Sequence, residues 1–174
     1  NQPNVCLVTG ASRGIGRGIA LELADLGYTV VGTATTESGA VAFEALLTEN
    51  KGRGHGLVLD VTKPEMVQEV VARVTKDLGA ITILINNAGI TRDNLLLRMK
   101  DTQWDECIDA NLKSVFTVSK CCLRGMTKAR YGRIINISSV VGTTGNAGQS
   151  NYAATNAGII GCTKYLALEV ASLN

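Results

Sequence analysis

Three glycines near the N-terminus have the spacing to hold a phosphate. The segment Thr9-Gly10-Ala11-Ser12-Arg13-Gly14-Ile15-Gly16 follows a short apolar run and precedes a helical pattern. In that context the missing side chains let backbone approach a pyrophosphate. The opening helix adds unpaired N–H groups and the positive end of its dipole. Gly10, Gly14 and Gly16 are therefore candidate nucleotide-binding residues, with Ser12 and Ile15 between them; the alternative is a glycine turn with no ligand. The end of the second strand decides which nucleotide, because an acid there bonds the ribose 2′-hydroxyl and repels a 2′-phosphate. Gly32-Thr33-Ala34-Thr35-Thr36 carries no acid before Glu37. Arg13 adds a positive charge close to where a 2′-phosphate would sit. Both features favour NADP(H), with Thr35 beside the ribose; taken alone, Arg13 is also compatible with a solvated loop arginine.

A second group lies near the C-terminus: Ser138-Ser139, then Tyr152-Ala153-Ala154-Thr155-Asn156. Tyr152 and Asn156 are one helical turn apart and share a face. An unperturbed tyrosine ionises near pH ~10, and a nearby ammonium favours its phenolate. Asn156 can donate a hydrogen bond but carries no charge. The only histidine, His55, sits in Gly52-Arg53-Gly54-His55-Gly56, which reads as a loop. A histidine-based triad is therefore not expected, and no ligand cluster points to a metal.

The elements that must position these residues follow from periodicity. The chain has 174 residues, 45 % hydrophobic and 18 % charged, with a net charge of +2. That suits one globular domain and gives no reason to expect nucleic acid or a membrane surface. No apolar run approaches the ~20 residues of a membrane span. The five cysteines, Cys6, Cys107, Cys121, Cys122 and Cys162, form no Cys-x-x-Cys pair. They read as buried, reduced thiols in predicted strands or helices, which suits a cytoplasm-like compartment. The expected location is the cytoplasm, or an organelle matrix if a leader preceded Asn1.

Val5 to Thr9, Tyr28 to Thr33, Leu57 to Asp60, Ile81 to Asn86 and Arg133 to Ser138 read as strands. Between them Ile15, Ile19, Leu23 and Leu26 share one helical face. Ser38 to about Asn50 reads as a helix with Ser38 as N-cap. Thr62-Lys63-Pro64-Glu65 has a capping-box pattern before a helix presenting Val67, Val70, Val71, Val74 and Leu78. Residues 101–129 read as two successive helices, with Leu112, Val115, Phe116, Leu123 and Met126 on a face of the second. A last helix runs from about Ser150 to Ala171. This alternation predicts βαβ units and a doubly wound parallel α/β sheet, a single Rossmann-type nucleotide-binding domain over residues 1–174.

The glycine segment, Asn87-Ala88-Gly89, Ser139 and Tyr152 at these spacings resemble the short-chain dehydrogenase/reductases over essentially the whole chain. That family carries Tyr-x-x-x-Lys, and Asn156 stands where it has its lysine. The resemblance implies that Tyr152 is the general acid for carbonyl reduction and that Ser139 binds the substrate carbonyl, with Ser138 a weaker candidate. It implies that Asn111 holds a water relay to the lysine position, residue 156, which also meets the nicotinamide ribose. Asp60 and Val61 match the adenine-contacting pair, and Asn87, Ala88 and Gly89 the motif along the cofactor. Family members continue beyond the final helix with another strand, a lid and a last strand, so the resemblance implies a domain lacking its usual C-terminal part.

Asn86 to Leu96, Gly132 to Gly142 and Gly145 to Tyr152 resemble the 3-oxoacyl-[acyl-carrier-protein] reductases in particular. Such enzymes reduce a β-ketoacyl thioester with NADPH in fatty-acid biosynthesis, on an acidic carrier protein and usually as homotetramers. Lys128, Arg130 and Arg133 could face that carrier, though such a cluster is also an ordinary solvated helix end. Three explanations of Asn156 compete: an engineered inactivation, a natural loss of function, and a compensating base elsewhere. Lys164 is eight residues on, too far along the helix to substitute simply. The rival readings are a catalytically inactive NADP-binding or assembly subunit and a dehydrogenase for another alcohol or ketone.

Overall fold

Short apolar runs become parallel strands here, the central ones buried throughout. The computed structural model describes residues 4–173; Asn1–Pro3 and Asn174, at the ends of the expected domain, lie outside them. Five strands form one sheet in the order β3-β2-β1-β4-β5. They are β1 (Val5–Val8), β2 (Thr29–Ala34), β3 (Arg53–Val58), β4 (Ile81–Asn86) and β5 (Arg133–Asn136). All pairs are parallel, with Leu7 opposite Val31 and Leu84, and Asn86 opposite Asn136. Every residue of β1 and β4 is buried, as a sheet covered on both faces requires. The strand order reverses beside β1, so the loops after β1 and β4 open into one crevice.

Alternation along each strand builds two cores. Val5, Leu7, Val31 and Leu84 pack against Val67, Val71 and Val74 of α3 (Pro64–Leu78) and Val118, Cys122 and Met126 of α5 (Ser114–Ala129). Cys6, Val8, Val30, Ile83 and Ile85 pack on the other face against α1 (Gly14–Asp25) and α2 (Glu37–Glu49) through Ala20, Ala24, Phe43 and Leu47. Burial pushes the thiols of Cys6 and Cys122 up to about 12, so both behave as small hydrophobes. Cys162 departs from the expected pattern and is exposed on α7 (Ser150–Val170).

Several local expectations are corrected. Helix α1 turns Gly16, Ala20 and Ala24 inward, while Ile15 and Leu26 are exposed. Small residues let the helix sit close to the sheet, and Ile19 and Leu23 close only its flank. The N-cap of α2 is Thr36, whose hydroxyl accepts from Gly39 N–H at 3.1 Å, with Ser38 inside the first turn. No capping box forms at α3, where Lys63 is the N-cap; the Thr62 hydroxyl donates instead to Asp60 at 2.6 Å.

The glycine-rich stretch around His55 is strand β3 rather than a loop. A Cβ at Gly56 would fall 1.9 Å from Ala40 O, so glycine there admits the close approach of α2. His55 lies 3.6 Å from Glu44 on that edge strand. Residues 101–129 form the two successive helices expected, joined without a break. The first, α4 (Asp101–Ile108), passes through a π-helical segment (Asp109–Lys113) into α5. Phe116 lies off the buried face of α5 and is exposed. The short helix α6 (Val141–Thr144) was not anticipated.

Candidate active site

The crevice beside β1 and β4 forms two adjoining clefts. One, of about 800 Å³, is lined by Gly10, Ser12, Arg13, Gly14, Ile15, Thr35, Asp60, Val61 and Asn87–Gly89. The other, of about 610 Å³, is lined by Asn111, Ser138, Ser139, Tyr152 and Asn156. Arg13, Ile15, Asn87–Ile90 and Arg92 line both. Each predicted site residue therefore faces this crevice except Gly16, which lies beneath it.

The glycine loop is shaped from below. Gly10 has φ +67°, a left-handed conformation that glycine adopts without penalty. The Asn87 side chain donates to Thr9 O at 3.0 Å and to Gly10 O at 2.9 Å. Thr9 accepts the N–H groups of both Asn87 and Ala88, each at 3.0 Å. A Cβ on Gly16 would fall 2.3 Å from both Asn87 Nδ2 and Gly10 O, so α1 can start there only with glycine. The loop thus presents backbone and no bulk at the N-terminus of a helix, the arrangement that suits a pyrophosphate. At the far end Glu37 sits in the first turn of α2. Asp60 is held below the usual carboxylate range, first by the Thr62 hydroxyl and then by the Thr62 N–H and Lys63, against burial, which raises it.

The second cleft is walled by the π-helical segment, the segment after β5 and α7. Asn111 is buried, and its carboxamide accepts from Ile90 N–H at 2.7 Å and donates to Ile90 O at 2.8 Å. The side chain therefore braces the strand-end loop. A π-turn inside a long helix is the kind of irregularity that recurs at functional sites. Ser139 accepts from Val141 N–H at 3.3 Å. Tyr152 is partly buried one turn before Asn156. Asn156 is 3 % exposed; it donates to Tyr152 O at 2.8 Å and accepts from the Ser138 hydroxyl at 3.0 Å. Lys164 is exposed on α7 and does not line this cleft.

Sequence reasoning assigned no role to three supporting residues. Thr9 looks like an ordinary strand residue, and its double acceptance depends on β4 ending beside it. Asn86 donates to Ser119 at 3.1 Å and to Asn136 at 2.8 Å, tying β4 to α5 and β5. Asn151 is fully buried beside Tyr152. Lys128, Arg130 and Arg133 cluster where β5 begins, at the end of the sheet opposite the crevice. Arg133 stacks on the Tyr131 ring at 4.8 Å. Among the described residues no helix is long and apolar enough to cross a membrane, and no side-chain group could hold a metal ion.

Comparison with known proteins points the same way. The family model for short chain dehydrogenases matches residues 4–174. The 3-oxoacyl-[acyl-carrier-protein] reductase FabG of Vibrio cholerae is 58 % identical over 168 residues, 97 % of this chain and 68 % of the relative. The protein of the same name from Pseudomonas aeruginosa is 57 % identical over 171 residues, 98 % of this chain and 69 % of its own length. That of Escherichia coli is 56 % identical over 168 residues, with coverage of 97 % and 68 %. With a parallel doubly wound sheet and a glycine-loop crevice of this construction, the chain belongs to the short-chain dehydrogenase family of oxidoreductases.

Proposed function

We propose that this chain is an NADPH-dependent 3-oxoacyl-[acyl-carrier-protein] reductase of fatty-acid biosynthesis whose turnover is impaired by Asn156. The observation that carries the reading is the single crevice joining the glycine loop to Asn111, Ser139, Tyr152 and residue 156. Gly10, Ser12, Gly14, Ile15 and Gly16 would hold the pyrophosphate. Arg13 and Thr35 would meet the 2′-phosphate, and Asp60 and Val61 the adenine. Asn87, Ala88 and Gly89 would lie along the cofactor, with Tyr152 and Asn156 at the nicotinamide ribose. Bound NADPH would supply a hydride to the 3-oxo carbon.

The remaining work falls to side chains of this chain. Ser139 donates a hydrogen bond to the carbonyl oxygen, polarising it where negative charge develops. Tyr152 gives its hydroxyl proton to the same oxygen, which completes the 3-hydroxy product. Asn111 fixes Ile90 and with it the loop that floors both clefts. In the family a lysine at residue 156 supplies the positive charge beside the tyrosine. Asn156 supplies none, and its carboxamide bonds to Ser138 and to the helix backbone. That engagement favours, as a second reading, an inactive NADP-binding or assembly subunit.

The partners follow from the same reading: an acyl group tethered to its carrier protein, and further copies of the chain in a homotetramer, in the cytoplasm. NADPH oxidation with an acetoacetyl thioester, set against simple ketones of similar size, tests the substrate class. A preference for the thioester supports the reading. Faster oxidation with the simple ketones would transfer the chain to another alcohol or ketone.

A further inference from the structure

Asn151 immediately precedes Tyr152 and is 0 % exposed, unusual for a carboxamide at the start of a helix. Every polar group of its side chain is engaged. Its Nδ2 donates to Arg92 O at 3.0 Å and to Gln103 O at 3.1 Å. Its Oδ1 accepts from Tyr152 N–H at 2.8 Å. The first N–H groups of a helix have no partner within it, and that of Tyr152 is met here by Asn151. The two carbonyls belong to separate elements: Arg92 lines both clefts, and Gln103 lies in the first turn of α4.

The contacts around Asn151 are less buried by comparison. Asn94 N–H donates to Gly148 O at 2.9 Å, and Gln149 Nε2 to Asp93 Oδ2 at 3.1 Å. Asn151 is the buried link between the segment after β4 and the N-terminus of α7. Asn111 grips Ile90 of the same segment.

We propose that Asn151 is a positioning residue that sets the placement of Tyr152 against the segment after β4. Asn151 meets no ligand; it acts through the first turn of α7. A chain that misplaces a reacting group by about 1 Å loses up to roughly 10²-fold in rate, so the effect should fall on kcat rather than KM. The functional consequence rests on the reductase reading, whereas the placement of the ring does not.

The test uses Asn151→Ser, which removes both carbonyl links, in protein with 13C-labelled tyrosine. The Tyr152 ring signal is identified by its loss in Tyr152→Phe. The expected result is a shifted or broadened Tyr152 signal with the signals of Tyr28 and Tyr131 unchanged and NADPH affinity within about 3-fold. In the Asn156→Lys background, kcat for the acetoacetyl thioester should fall by at least about 10-fold at similar KM. If Asn151→Ser fails to fold, Asn151→Asp keeps the acceptor for Tyr152 N–H, loses both donors and is read in the same way. An unmoved Tyr152 signal in a folded variant overturns the proposal. A moved signal with no turnover in any background keeps it and instead contradicts the reductase reading.

Discussion

The Ser138 hydroxyl donates to both carbonyl oxygens of Asn156, to side-chain Oδ1 at 3.0 Å and to the main chain at 3.3 Å. With Nδ2 given to Tyr152 O at 2.8 Å, the carboxamide is satisfied although almost fully buried. A buried polar group without a partner would cost about 1–3 kcal/mol; here no such cost arises. The substitution is therefore accommodated by the fold, and its consequence is chemical: among the described residues, α7 places no cation one turn from Tyr152. Ser139, one residue on, lines the cleft and is the serine we assign to substrate.

The glycine loop yields a steric prediction. Gly16→Ala places a methyl group 2.3 Å from Gly10 O, a backbone atom that cannot swing aside. Overpacking of this kind costs about 1–3 kcal/mol, and the loop should lose its nucleotide-binding shape. Gly18, in the same helix, has nothing within 4 Å of an added Cβ. Gly18→Ala should instead be neutral or stabilising by up to about 1 kcal/mol. Thermal denaturation and NADPH titration of the two variants measure the contrast.

Cofactor choice gives a second. A hydrogen bond to a charged group contributes about 1.5–3 kcal/mol. Arg13→Ala should therefore weaken NADPH binding by about 10- to 100-fold while leaving NADH within about 2-fold. Fluorescence titration of both cofactors decides it, and equal losses for the two would remove Arg13 from the 2′-phosphate site.

These residues also mark how far the sequence reached. Strand β4 was legible to the residue because Ile81–Asn86 is a β-branched and apolar run, broken only by Thr82, that ends in asparagine. The glycine loop was legible because its context was local. Strand β3 was not, because its glycines look like a loop until α2 is seen packed on them at Gly56. The buried face of α1 was misread because Ile15 and Leu26 outweigh glycine and alanine in any hydrophobic pattern, whereas the packing selects for smallness. Asn111, Ser139, Tyr152 and Asn156 were singled out through spacing and resemblance, and the fold brings them to one cleft. Thr9 and Asn151 were not singled out, because their value lies in hydrogen bonds to segments 48 or more positions away in sequence.

Asp60 supplies a pH prediction. Its carboxyl is held low chiefly by the Thr62 hydroxyl, so the ionised form is favoured in the folded state. That stabilisation is fully present above the ordinary carboxylate range and is lost as pH falls through the lowered value. Thr62→Val should move the Asp60 midpoint back up towards its ordinary value, read by carboxyl 13C NMR. The variant should be less stable than the parent at neutral pH, and the difference should close in acid.

The central claim is that the fold and cofactor crevice are intact and that turnover is limited at residue 156. The most direct measurement is the rate of NADPH oxidation with an acetoacetyl thioester in the Asn156 protein and in Asn156→Lys, alongside NADPH affinity and melting temperature for both. We predict that both proteins fold and bind NADPH, and that Asn156→Lys is faster by about 10²–10⁴-fold, the range ascribed to positioned proton transfer. Adding Tyr152→Phe should abolish the gain. An Asn156→Lys protein that folds and binds cofactor yet stays inert would favour the non-catalytic reading. An Asn156 protein that already turns over at the rate of Asn156→Lys would contradict the account.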